Sequence, residues 1–181
     1  SIPSKKLKAE LLYSYYVNCK MIKEKEYEID SNDRNKIGSI EAFHKVCDNK
    51  YGILVICKSK NEIFGGYTPL CFTSSNDYGY DNKSFLFSLN KKEKYPKSSY
   101  DNSESIWCYN YYGPCFGWDL YFRKYKMDAL KFEKDKYLTP NNWINTENCY
   151  VCSDGVLLDS LEIFQIKFEG NNNEEKEYII I

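Results

Sequence analysis

The sequence has little histidine and no excess of charge of either sign. Its 181 residues include one histidine, His44, and 25 basic side chains balance 26 acidic ones, for a net charge of −1. Proteins that bind nucleic acid usually carry a basic excess or stripe, so we expect no nucleic-acid partner. No run approaches the ~18–20 consecutive apolar residues that a membrane-spanning helix needs, so we expect no membrane insertion.

Motifs for metals, phosphates and cofactors are equally scarce. Cys149 and Cys152 form a single CxxC pair, whereas a structural zinc site usually needs a second pair or two histidines. The glycines at 65–66 and in 113–117 are not followed by the Lys–Ser/Thr of a phosphate-binding loop, and they fit bends in strands better. We therefore predict no metal and no cofactor.

Two thiol arrangements could support an enzyme. Cys47 follows His44 by three residues in a helical segment, so a thiolate–imidazole pair is geometrically allowed. Cys47 also shares an apolar helix face with Phe43, as a packed thiol would. Cys149 and Cys152 could exchange a disulfide, but a redox CxxC normally opens a helix and this one lies among turn residues. We expect no enzyme, with a thiol-based redox or other enzyme as the alternative.

Apolar and aromatic side chains are abundant. Hydrophobic residues make up 43% of the chain, aromatic residues make up 17%, and tyrosine alone occurs 18 times. This is sufficient for the core of one domain of this length. The eight cysteines are scattered, and some lie in apolar runs such as 53–57. We interpret them as reduced thiols, which favours a cytoplasmic location over a disulfide framework.

The hydrophobic pattern predicts a mostly β (α+β) fold, a two-sheet antiparallel β-sandwich with a few short peripheral helices. Apolar runs at 53–57 and 63–68 form a predicted hairpin. The two glycines in its second strand require a bulge, a bend or the close approach of another stretch of chain. Ser39 is the predicted N-cap of a short helix that ends at 48–49. Further strands are predicted at 84–89, 106–112, 120–122 and 161–168.

The same pattern divides the chain into three parts. Residues 1–36 are predicted to hold an N-terminal helix, because Leu7, Leu11 and Tyr15 approximate helical spacing, followed by a polar linker. Residues 37–168 form the predicted core of the domain, with polar loops at 74–83 and 90–104. Residues 169–181 form a polar C-terminal tail.

Aromatic side chains concentrate around one turn: Tyr109, Tyr111, Tyr112, Phe116, Trp118 and Tyr121. Such a cluster is most often part of a core. Exposed rings would instead give a protein partner good anchors, so Tyr112, Trp118 and Tyr121 are the candidate partner surface. A pocket for a small molecule or a glycan near Trp118 is a further interpretation of the same cluster.

Five sequence blocks, in order, resemble a TLDc domain in the style common among protist and fungal members. They are FHKVCDNK at 43–50, IFGGY at 63–67, SFLFSL at 84–89, YGPCFGWDL at 112–120 and LEIF at 161–164. The residues that we assign to the family motif within these blocks are Phe64, Gly65, Gly66, Gly113, Pro114, Phe116, Gly117, Asp119 and Glu162.

The resemblance implies a two-sheet sandwich with no established active site, and therefore a non-catalytic protein-interaction module. Members of this family are associated with resistance to oxidative stress. Several bind the vacuolar proton-pumping ATPase and regulate its assembly, so its peripheral subunits are the partners that the resemblance implies. The domain is often joined to others, such as BTB or kelch-type domains, and a chain beginning at Ser1 agrees with that arrangement.

Overall fold

The computed structural model describes residues 6–16, 40–97, 104–117, 119–122, 130–131 and 158–169. Within them the chain forms β1 (Lys6–Tyr16), α1 (Ile40–Cys47), β2 (Ile53–Ser59), β3 (Glu62–Thr68), β4 (Asp77–Gly79), β5 (Phe85–Ser88), β6 (Glu93–Pro96), β7 (Ile106–Cys108), β8 (Tyr121–Phe122), β9 (Leu130–Lys131) and β10 (Ser160–Glu169). One antiparallel sheet has the order β1-β10-β2-β3-β5-β6, while β4 pairs with β7 and β8 with β9. The prediction of a mostly β, antiparallel fold is confirmed.

The predicted N-terminal helix is wrong over residues 6–16, which form the edge strand β1. This strand pairs with β10 from Lys6 opposite Glu169 to Tyr16 opposite Ser160. The pairing shifts register between Leu11 and Tyr13, so a bulge interrupts the two-residue alternation. The interrupted alternation resembles helical spacing, which explains the error. The polar linker at 17–36 and the tail at 170–181 lie outside the described residues.

The inner face of the large sheet builds the main core. Val55, Phe64 and Leu161, from three neighbouring strands, are fully buried in one cluster that also includes Ile106 of β7 and Phe122 of β8. The small sheets and α1 therefore share a core with the large sheet, as a layered β-rich domain requires. In β2 the residues of the inner face are buried, whereas Leu54 and Ile56 on the outer face are half-buried.

Helix α1 forms where the sequence predicted it. Ile40, Phe43 and Cys47 are its buried residues, and Glu41 lies in its first turn. The predicted end at 48–49 is confirmed, because Asn49 adopts a φ of 62° and its N–H donates to the Phe72 carbonyl at 2.8 Å. No helix in the described part of the chain is long and apolar enough to cross a membrane.

The paired glycines of β3 lie where other atoms approach the sheet closely. A Cβ atom added to Gly66 would lie 2.7 Å from Cζ of Phe116, and one added to Gly65 would overlap the carbonyl oxygen of Val55. The aromatic ring of Phe116 contacts Phe72 edge-on, and Phe72 contacts Phe43 in the same way. We call these three fully buried rings the phenylalanine stack. The close approach expected for these glycines is confirmed. It brings the sequence block at 63–67 into contact with the block at 112–120.

Several strands differ from their predicted bounds. The polar stretches 74–83 and 90–104, predicted as loops, contain β4 and β6, whose hydrogen-bond partners are β7 and β5. The strand predicted at 106–112 ends at Cys108. The strand predicted at 84–89 forms as β5, which is buried on both faces because Leu86 belongs to the main core and Phe85 and Phe87 to a second cluster.

Candidate functional site

The turn that follows β7 is held by backbone hydrogen bonds and one glycine. The N–H of Trp107 donates to the carbonyl of Cys115 at 3.1 Å, and the N–H of Phe116 donates to the carbonyl of Leu120 at 2.8 Å. Gly117 lies inside the second reversal with a φ of 57°, a region that glycine enters without steric cost. The backbone therefore fixes where the aromatic side chains around this turn project.

These aromatic side chains form one continuous group with the edge strand β4. Tyr78 of β4 lies opposite Trp107 in the register of the small sheet. The Tyr78 and Tyr109 rings meet edge to face, with centroids 5.5 Å apart and an interplanar angle of 83°. Tyr111 and Tyr112 continue the group at a centroid separation of 5.1 Å. Tyr78, Tyr109 and Tyr112 each also meet Trp107 edge to face, and such contacts hold a ring in a defined orientation.

Exposure separates this group into a floor and a surface. Trp107 and Tyr121 are buried, and their rings lie 5.9 Å apart. Above them, Tyr78 is 38% exposed, and the side chains of Tyr109, Tyr111 and Tyr112 are half-buried. We call these four residues (Tyr78, Tyr109, Tyr111 and Tyr112) the tyrosine surface. The surface is a set of partly exposed rings on a rigid aromatic support.

The phenol groups of the tyrosine surface interact with one another and with a nearby carboxylate. A side-chain hydrogen bond with Tyr78 is the largest cause that raises the pKa of Tyr109 to about 12, and the negative charge of Asp77 contributes to the same shift. Tyr109 therefore stays uncharged throughout the physiological range. Asp77 is exposed at the start of β4, where Oδ1 accepts the Tyr78 N–H at 2.8 Å.

His44 links α1 to this turn. Its Nδ1 lies 2.8 Å from Oδ1 of Asp48, and its Nε2 lies 3.0 Å from the carbonyl oxygen of Tyr112. Asp48 in turn accepts the Ser74 hydroxyl through Oδ2 at 2.7 Å. Both ring nitrogens are engaged by these contacts, so the imidazole connects α1 to the turn.

Three of the described thiols are poor nucleophiles. Cys47, Cys57 and Cys115 are fully buried. Burial raises the pKa of Cys47 to about 12 and raises that of the other two further. A thiol must lose its proton to attack, so these groups stay inert near neutral pH. Cys149 and Cys152, the other thiols considered for redox chemistry, lie outside the described residues.

The residues of the predicted family motif divide between the core and the periphery. Phe64, Phe116 and Asp119 are fully buried. Gly65, Gly66, Gly113, Pro114 and Gly117 are also buried, whereas Glu162 is half-exposed on β10. Most of these residues therefore support the fold, and Gly66 and Phe116 do so through direct contact.

The structure redefines the predicted partner surface. Tyr112 belongs to the tyrosine surface, but Tyr121 is 5% exposed and forms part of its floor, so its assignment as a contact residue is wrong. Trp118 lies outside the described residues. The sequence analysis missed Tyr78, because its surroundings were taken as a loop. The spacing of Tyr78 and Tyr80 around Gly79 was a two-residue alternation that could have indicated a strand.

Fold and surface together define a class: a β-rich domain whose core is sealed by aromatic packing and whose candidate site is a partly exposed group of rings. The family model of the TLDc domain matches residues 31–167, so the chain belongs to the TLDc family. The match begins before the core boundary predicted at residue 37 and ends one residue before the boundary predicted at 168. A search of curated protein sequences finds no match to the chain.

Proposed function

We propose that this TLDc domain is a non-catalytic protein-interaction module that binds its partner through the tyrosine surface. The observation that carries the proposal is the combination of exposure and rigidity. The partly exposed rings of Tyr78, Tyr109 and Tyr112 contact the buried ring of Trp107. The fourth ring, Tyr111, packs against Tyr109 and Tyr112. Tyrosine is enriched among the residues that dominate binding energy, and rings that are already ordered lose little entropy when they bind.

The chemistry of the described thiols supports the non-catalytic part of the proposal. Both ring nitrogens of His44 make contacts, Nδ1 with the Asp48 carboxylate and Nε2 with the Tyr112 carbonyl. Its neighbour Cys47 is buried, with a pKa raised to about 12. The pair therefore lacks the proton acceptor and the thiolate that nucleophilic catalysis needs.

Membership of the TLDc family adds the biological setting of the proposal. The module acts in resistance to oxidative stress, in the cytoplasm, and its partners are peripheral subunits of the vacuolar proton-pumping ATPase. These assignments come from the family resemblance. The five described cysteines are free thiols, which agrees with a reducing compartment.

The experiment that tests the proposal measures binding of the 181-residue chain to the purified peripheral subunits of the pump. We expect saturable binding that is weakened at least about tenfold by Tyr111→Ala, because an anchor ring is worth more than 1 kcal/mol at an interface. Tyr51→Ala is the matched control, since Tyr51 is 55% exposed and lies outside the tyrosine surface. Equal affinities for the wild type and the Tyr111 variant contradict the proposed surface.

The alternative, a thiol-based enzyme, is tested separately in cells that depend on this protein for survival in peroxide. We expect Cys47→Ser, Cys149→Ser and Cys152→Ser to leave protection intact while Tyr111→Ala reduces it. Loss of protection in a cysteine variant that still folds supports thiol chemistry instead.

A further inference from the structure

The charge around the tyrosine surface differs from that of the chain as a whole. The chain balances 25 basic against 26 acidic residues. The two segments that build the surface, 73–82 and 104–112, contain Asp77, Asp81 and Glu104 and have no lysine or arginine. A binding surface of one sign attracts partners of the opposite sign and repels others.

The rings themselves favour the same kind of partner. The face of an aromatic ring carries negative potential, which attracts a cation placed above it. Tyr78 presents 38% of its area to solvent, and edge-to-face contacts with Trp107 and Tyr109 hold its ring. A contact of this type occurs elsewhere among the described residues, where Nζ of Lys94 lies 4.2 Å from the ring centroid of Phe85.

Two of these three carboxylates, Asp81 and Asp77, differ in the hydrogen bonds that they already make within the domain. Asp81 accepts hydrogen bonds from the backbone of Lys83 and Ser84, which ties it to the start of β5. Asp77 is exposed at the start of β4, directly before Tyr78 in the chain, where Oδ1 accepts the Tyr78 N–H, and its charge contributes to the raised pKa of Tyr109. Asp77 is therefore the more available of these two carboxylates for a cation bound at this edge strand.

We propose that the tyrosine surface receives an arginine-rich segment of a protein partner, with guanidinium groups stacked on the rings and paired with Asp77. This assignment rests on the proposed function and names the chemistry of the partner. Arginine is preferred over lysine because its planar group stacks on aromatic faces and pairs with a carboxylate through two parallel hydrogen bonds.

The test uses a short fluorescent Gly–Ser peptide with spaced arginines, and matched peptides in which lysine, glutamate or leucine replaces every arginine. Binding to the full chain is measured by fluorescence anisotropy at low and high salt. We expect the arginine peptide to bind at least about tenfold tighter than the leucine peptide. The lysine peptide should bind more weakly than the arginine peptide, the glutamate peptide should not bind, and high salt should weaken binding. Equal binding of the leucine and arginine peptides overturns the proposal.

Matched variants then locate the binding. Tyr78→Phe keeps a ring and should retain the arginine peptide, whereas Tyr78→Leu keeps an apolar side chain without a ring and should lose at least about fivefold in affinity. Asp77→Asn should also weaken binding. Arginine binding that survives both Tyr78→Leu and Asp77→Asn belongs to another surface and overturns the proposal. If the pump subunits bind through Tyr111 without salt dependence, the interaction module stands and only the cationic partner is wrong.

Discussion

The phenylalanine stack and the tyrosine surface are two aromatic groups that draw on neighbouring parts of the chain, and they differ in what covers them. Phe43, Phe72 and Phe116 are at 0% exposure, and the last of them lies against Gly66. The tyrosine surface has Trp107 beneath it and solvent above it. Both groups rely on edge-to-face ring contacts, so packing geometry does not separate them.

Exposure and the phenol hydroxyl separate the two groups. A buried phenylalanine ring contributes through the area it removes from water and through close packing, and any change of volume there affects folding. A half-exposed tyrosine keeps its hydroxyl hydrated or hydrogen-bonded and leaves part of its ring for a partner. Changes in the stack should therefore alter stability, and changes in the tyrosine surface should alter binding.

The largest expected effect is a difference in reactivity between a thiol buried in the core, Cys47, and a half-exposed thiol, Cys71. Burial raises the pKa of Cys47 to about 12, so we expect its alkylation at neutral pH to be at least about a hundredfold slower than that of the half-exposed Cys71. Mass spectrometry of iodoacetamide-labelled native protein measures both rates, and labelling in denaturant provides the control. Labelling of Cys47 as fast as that of Cys71 contradicts the sealed core.

The raised pKa of Cys47 also determines how the stability of the domain changes with pH. The folded-state pKa of Cys47 lies above its ordinary value of 9.0, so the unfolded chain releases this proton first. The stabilising contribution is complete below pH 9.0 and is lost as the pH rises toward about 12. Urea unfolding across this range, compared with Cys47→Ala, measures it.

The second-largest effect, a loss of stability, is expected when Gly66, which lies against the phenylalanine stack, is replaced. In Gly66→Val the added Cβ would lie 2.7 Å from the Phe116 ring, which cannot move without displacing Phe72. We expect the free energy of unfolding to fall by about 2–3 kcal/mol, as for other overpacked cores. Urea titration gives the value.

A double-mutant cycle identifies the cause of that loss. Phe116→Leu shortens the side chain above Gly66, so Gly66→Val should cost less in that background than in the wild type. The same cost in both backgrounds means that Gly66 is required for a reason other than the Phe116 ring.

A smaller effect is expected where the two regions are joined. His44→Ala removes contacts to Asp48 and to the Tyr112 carbonyl. It should reduce the free energy of unfolding by about 1–2 kcal/mol, the cost of leaving partly buried acceptors unsatisfied. A cycle with Asp48→Asn measures the coupling, and additive effects of the two changes contradict a direct His44–Asp48 interaction.

The sequence was most informative where structure depends on near neighbours. The apolar face of α1 and the β2–β3 hairpin followed directly from local periodicity. It failed at β1, where a bulge hides the alternation, and at β4 and β6, whose polar residues become strands because β7 and β5 supply their hydrogen bonds. The hydrogen bonds that a partner strand supplies leave little trace in the composition of a polar segment.

The candidate site shows the same limit. The sequence identified the aromatic turn and Tyr112, but it could not show that Tyr121 is buried or that Tyr78 lies against Trp107. The pairing of β4 with β7 brings the two segments together. Likewise, the sequence suggested a close approach at Gly65–Gly66, and only the structure identifies the Phe116 ring as the group that approaches.

The smallest effect on stability, and the sharpest test of the comparison, is expected at the tyrosine surface. Tyr111→Ser removes a half-buried ring that contacts Tyr109 and Tyr112, and the free energy of unfolding should fall by less than about 1 kcal/mol. Thermal and urea unfolding measure this loss of stability, and titration with the pump subunits measures the affinity. If the phenylalanine stack serves stability and the tyrosine surface serves binding, Tyr111→Ser should impair binding far more than folding. A loss of stability as large as that of Gly66→Val makes the tyrosine surface an extension of the core.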